Sequence, residues 1–201
     1  MPKWTVGNTV GIIRDARDYI FNPSSGSYIS VQAEIAKKFL FANVDYNRIT
    51  FEARTYFPVF WKFVIMNRLK MGLVTSVDEV PLYKRFYAGG IGDDGVRGYS
   101  DRSLSPVEDG RKIGGSVIFI NNLELKLKFS QSFALLFFYD AGNTFASYRD
   151  VNLSNLYRGL GAGIRLEVPM MGVLGFDFGY GLDRDQPGFE PHFQINPLGM
   201  F

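Results

Sequence analysis

Few side chains in this sequence are equipped for covalent or metal chemistry. Cysteine is absent and histidine occurs once, as His192, so there is no thiol nucleophile, no cysteinyl or multi-histidine metal site and no triad-like constellation. The Gly-rich stretch GIGDDGVRG, residues 90–98, has neither a Walker lysine nor a following helix and is not expected to cradle phosphate. Within it Asp93 and Asp94 suit either a weak calcium contact or a solvated loop tip, and the solvated tip is the expectation. No enzyme, metal or cofactor is expected. What remains is charge in unusual settings. Asp140 closes an otherwise apolar run, FALLFFYD, where an acid needs a partner. Glu124 alternates with leucines in NNLELKLKF, and Arg97 sits in VRGY inside a long polar segment; an Arg-Gly-Tyr taken alone is an ordinary surface turn. Arg14, Asp15, Arg17 and Asp18 crowd the motif RDARD and are read as structural, either as an internal charge ladder or as an exposed strand end.

The elements that position these groups are strands. From Arg48 to Phe57, Arg48, Thr50, Glu52, Arg54 and Tyr56 share one face while Ile49, Phe51, Ala53, Thr55 and Phe57 share the other. From Val117 to Phe129 the odd positions are mostly apolar and Asn122, Glu124, Lys126 and Lys128 line the opposite face. The same period of two runs through Tyr28 to Ala36, Trp61 to Leu73, Leu160 to Val168 and Leu174 to Tyr180. With WTVGNTVGII, SFALLFFYDAG and PHFQINPLGMF this makes about nine strands, and no segment argues for a helix. Short connections such as FPVFW alternate with long polar ones, Val77 to Lys112 and Thr144 to Asn155, as the two rims of an outer-membrane barrel require.

At 201 residues with no linker or break in composition, the chain is expected to be a single domain over 1–201. Lys plus Arg number 22 against 20 acids, so nothing calls for a nucleic-acid partner. No run of about eighteen apolar residues exists to cross a bilayer as a helix. Alternation alone fits both a soluble barrel with its apolar face inward and a membrane barrel with that face toward lipid. Runs of about ten residues or more and aromatics near strand ends (Trp4, Tyr19, Phe21, Phe57, Phe60, Trp61, Tyr180) favour the membrane barrel.

Around VRGY, the stretch RFYAGGIGDDGVRGYSDRSLSP resembles the long sixth extracellular loop of BamA and its relatives, the outer-membrane assembly and transport barrels that include TamA, the Sam-type mitochondrial proteins and the two-partner secretion transporters. GIIRDARDYIFNPSSGSYISV resembles that family's Asp-x-Arg-Asp…Pro-x-x-Gly hairpin, NNLELKLKF its Leu-Glu strand, LLFFYDAGNTF its Phe-Asp-x-Gly-Asn strand end, and YRGLGAGIRLEVPMMGVLGFDFGYGL its penultimate hairpin. The resemblance implies an all-β fold, a transmembrane antiparallel β-barrel whose nine or so strands are part, or a shortened version, of a barrel of about sixteen, with no POTRA domain present. It also implies that the long loop folds into the lumen, where Val96, Arg97, Gly98 and Tyr99 dock on the wall and Arg97 meets Glu124 and Asp140. His192 is expected in the lumen or at the rim.

The last run, with Phe193, Ile195, Pro197, Gly199 and the terminal Phe201, resembles a seam strand carrying a sorting signal, although Pro197 removes a ladder donor. The function implied is assembly, the folding and insertion of client outer-membrane proteins through a weak lateral seam. The alternatives are a two-partner-secretion-type transporter that passes a protein through the lumen and a soluble ligand-binding barrel. Implied partners are outer-membrane lipid, unfolded client β-barrel proteins, and accessory subunits or a second chain completing the barrel. The implied location is the bacterial outer membrane, with an organelle outer membrane second.

Overall fold

Period-two patterning becomes one continuous meander in the computed structural model, which describes residues 7–38, 44–77, 79–186 and 188–196. The strands are β1 (Asn8–Asp15), β2 (Gly26–Ala36), β3 (Tyr46–Pro58), β4 (Phe63–Thr75), β5 (Val107–Glu108), β6 (Arg111–Lys112), β7 (Val117–Lys128), β8 (Phe133–Phe145), β9 (Tyr157–Val168), β10 (Gly172–Gly181) and β11 (Phe189–Asn196). Nine of them form an antiparallel sheet in the order β1-β2-β3-β4-β7-β8-β9-β10-β11, and β5 with β6 makes a small hairpin inside the long loop. Among the described residues β1 and β11 are the two edges and do not pair with each other. The central strands are long: β3, β4 and β8 each have 13 residues, roughly 44 Å at 3.4 Å per residue and enough to cross a bilayer at a tilt.

The face assignments decide between the two barrel types. Leu123 and Leu125 point outward and are 42% and 40% exposed, as is Phe137 at 63%, whereas Glu124 and Asp140 on the opposite face are 6% and 0% exposed. Apolar side chains therefore cover the outside of the sheet and ionic ones the inside, the reverse of the soluble-barrel alternative. Among the described residues no helix is long and apolar enough to cross a membrane; the crossing elements are strands.

Connections 16–25, 59–62, 129–132 and 169–171 lie at one rim, and the long segment 76–116 at the other. This long segment buries more of itself than its composition suggests. Phe86, Ala88, Val96, Tyr99 and Leu104 form a core with Val74, Ile118 and Ile120 of the inner wall. Phe86 exchanges backbone bonds with Gly115 at 2.8 Å in both directions, and Leu104 N donates to Ala88 O at 3.0 Å. The entropic cost of ordering so long a loop is offset by this apolar core. Farther on, the 146–156 connection holds two short 3-10 turns, each capped by a side chain, Ser147 for Arg149 N and Asn152 for Ser154 N.

Candidate functional site

Antiparallel register brings the inward-facing acids of three strands together. Glu124 of β7 lies opposite Phe138 of β8, Asp140 of β8 opposite Gly159 of β9, and Asp177 of β10 opposite Gly163 of β9. Arg97, at the tip of the long loop, enters this ring. Its Nε and Nη2 donate to the two oxygens of Asp140 at 2.7 and 2.8 Å, a bidentate pair, and its Nη1 donates to Glu124 Oε1 at 2.8 Å and to Asp177 Oδ2 at 3.3 Å. The backbone N–H of Arg97 also donates to Asp140 Oδ2, at 3.0 Å. The guanidinium lies 3.7 Å over the ring of Phe138, which adds a cation–π contact where water is excluded.

Charge balance makes this burial tolerable. Arg165 of β9 forks onto Asp177 with bonds of 2.6 and 2.8 Å, and Lys126 Nζ approaches Glu124 Oε2 at 3.4 Å. Arg97, Arg165 and Lys126 thus face Glu124, Asp140 and Asp177, and every carboxylate has a cationic partner. A guanidinium suits such a site because its planar fork stays charged and reaches several acceptors at once.

The neighbours of Arg97 are fixed by backbone geometry. Gly98 has φ +92°, and a Cβ there would meet Gly181 N and Tyr180 C at 2.6 Å. Its N–H donates to His192 Nε2 of β11 at 3.1 Å. Val96 is fully buried against Gly142 and Ile120. Tyr99 OH donates to Arg158 O at 2.9 Å and accepts from Asp183 N at 3.1 Å, and its ring packs edge-on against Tyr157. Below it, the Arg158 side chain holds the Asp183 carboxyl below the usual carboxylate range, with bonds of 2.6 and 3.1 Å. Ser100 Oγ and Arg184 Nη1 both bond Glu190, at 2.7 and 2.8 Å, so the loop tip touches the inward face of edge strand β11 at two successive inner positions.

The structure brings Val96, Arg97, Gly98, Tyr99, Glu124 and Asp140 into one cluster. Phe193 and Ile195 sit apart, on the outer face of β11, with Phe193 packed on Phe176 at 4.7 Å between ring centroids. Pro197, Gly199 and Phe201 lie outside the described residues, as does Trp4. Asp94 differs from the solvated tip expected of it: its carboxylate reaches Lys70 Nζ at 2.6 Å, while the carbonyl of Asp93 accepts from Arg68 Nη2 at 2.6 Å. Asp177 and Arg165 were not singled out by sequence. The signal for Asp177 was an acid on the glycine face of LGFDFGYG, where nothing else polar alternates with the aromatics.

An open-edged meander of bilayer-length strands, greasy outside, ionic inside and holding a folded-back loop, defines the class: an outer-membrane β-barrel chain. The Omp85 superfamily domain matches residues 2–196. The sequence is 31% identical over 190 residues to outer membrane protein assembly factor BamA of Nitratidesulfovibrio vulgaris, covering 91% of this chain and 24% of that protein. It is 26% identical over 166 residues to sorting and assembly machinery component 50 homolog A of Xenopus laevis, covering 77% of this chain and 33% of that protein. The crystal structure of BamA from Haemophilus ducreyi lacking POTRA domains 1-3 superposes with a TM-score of 0.76 at 21% identity, covering 94% of this chain and 41% of that one. The chain belongs to the Omp85 superfamily. It spans 24% and 33% of the length of the two curated relatives.

Proposed function

We propose that this chain is one barrel domain, residues 1–201, contributing the carboxy-terminal strands of an outer-membrane assembly factor that helps client β-barrel proteins fold and insert. In this reading Val96 to Tyr99, with Glu124 and Asp140, brace the barrel from within, and the last strand is the seam. The observation that carries it is the grip of the loop tip on β11, a strand that among the described residues is hydrogen-bonded to a neighbour on one side only. An edge strand offers unpaired N–H and C=O groups to an incoming strand, and a brace on its inner face keeps it from fraying while leaving that edge free. The partners in this proposal are lipid, unfolded client strands, and whatever segment or subunit completes the barrel; no reaction chemistry is assigned. The test is client folding into liposomes with and without the full natural protein, read as heat-resistant migration on gels. Accelerated folding that Arg97→Ala reduces is expected; equal rates with and without the protein overturn the assignment.

A further inference from the structure

The connection 16–25 between β1 and β2 is the longest at its rim. It does not project into solvent but lands on strands far along the meander. Lys128 Nζ, at the inner end of β7, donates to Asn22 O and Ser24 Oγ, both at 2.5 Å. Asn22 Nδ2 donates to Gln131 O at 3.0 Å, and Tyr19 OH donates to Glu167 Oε1 of β9 at 2.6 Å. Two strands separate β2 from β7 in the sheet, and four separate β2 from β9. With strands about 4.8 Å apart, such contacts require the turn to run as a chord through the hollow of a curved sheet.

The turn is locked into a shape that permits this. Asp18 accepts from Tyr19 N and Ser24 N at 2.9 Å, and Arg17 forks onto Asp15 at 2.9 and 2.6 Å while reaching Ile20 O at 3.2 Å. Lys128 is only 9% exposed, and among the described residues no carboxylate lies within ion-pair distance of it. A buried ammonium needs an acceptor for each of its three N–H groups. The turn supplies two and Gln131 Oε1, at 3.4 Å, the third. The Arg97 cluster makes no use of Lys128, whose acceptors come from the turn and from Gln131.

We propose that the 16–25 turn is a stopper seated on Lys128, closing the short-turn mouth of the lumen while the VRGY loop fills the other half. Glu124 and Lys128 are four positions apart on β7, roughly 13 Å at 3.3 Å per residue, so the two inserts stack along the lumen axis. The device gives a barrel with an ionic interior a barrier to small ions. It stands independently of client insertion, because conductance needs no client.

The experiment is single-channel recording of the full natural protein in planar lipid bilayers in KCl at neutral pH. The parent is expected to stay closed for most of the record, and the double variant Lys128→Ala, Asn22→Ala to pass at least three times the mean current. A second variant, Asn22→Cys with Gln131→Cys, introduces the only cysteines of this sequence; oxidised, it is expected to lose the residual openings, which return on reduction. The proposal is overturned if the parent conducts as freely as the double variant, or if the double variant keeps heat-resistant migration and the parent's current. Should the double variant not fold, the cysteine pair decides: openings unchanged by oxidation overturn the stopper, and openings abolished by it support it.

Discussion

The lumen wall has two kinds of surface. Along β2 to β4 the inward positions carry long charged side chains that pair with one another: Glu52 accepts from Arg54 Nε at 2.6 Å and from Arg68 Nε at 2.7 Å, and Glu34 from Tyr46 OH at 2.7 Å. Along β9 and β10 the inward positions are mostly bare. A Cβ on Gly159 would collide with Arg97 O, and one on Gly179 with Gly98 N. The contrast follows from what each wall meets. Where the loop lies flat as backbone, the wall can carry no side chain; where only a side chain reaches across, the wall answers with carboxylates. The β7 and β8 wall does the second with Glu124 and Asp140, and the β9 and β10 wall does the first, with Asp177 as the inward acid that meets Arg97.

Changes on the two walls should therefore fail differently. Arg97→Ala strands three buried carboxylates with fewer partners and is expected to cost the most, about 3–5 kcal/mol, read as a lower temperature for loss of heat-resistant migration. Arg97→Lys should recover only part of this, because a point charge cannot fork onto Asp140. Gly159→Ala is expected to cost about 3 kcal/mol by overpacking, with the loop displaced and opened to added protease although no charge has changed. Glu52→Gln on the other wall should cost about 2 kcal/mol, from lost charged hydrogen bonds, and leave the loop protected. Protease sensitivity of the loop in that variant equal to Gly159→Ala would erase the distinction between the walls.

Smaller effects sharpen the same comparison. Tyr99→Phe removes a hydroxyl that ties the loop to both Arg158 and Asp183 and should cost about 1 kcal/mol. Asp183 has a lowered pKa because Arg158 bonds it. Its contribution is therefore present above the unfolded carboxylate value of about 3.9 and is lost as pH falls from there through the lower folded value. Asp183→Asn should weaken loop protection at neutral pH, where that contribution is fully present, and flatten its acid limb below about pH 4; an acid limb of unchanged steepness would remove Asp183 from the loop seat.

The sequence by itself determined the strands and which residues share a face, because a period of two is a local property of the pleat; that the leucine face turns outward was decided by the structure. The sequence also marked Glu124 and Asp140 as acids in need of partners, and the motif order carried the resemblance that paired them with Arg97. Other features were decided only by the tertiary structure. Asp177 and Arg165 join the cluster through cross-strand register between β9 and β10, and the reach of Tyr19, Asn22 and Ser24 to β7 through β9 depends on how far the sheet curves. Neither register nor curvature is written in any single strand; both come from the twist and pairing summed over the whole sheet. The glycines of β9 and β10 belong between these two cases. Their positions are plain in YRGLGAG and LGFDFGYG, but that they clear a path for the backbone of another segment emerges only when that segment is in place.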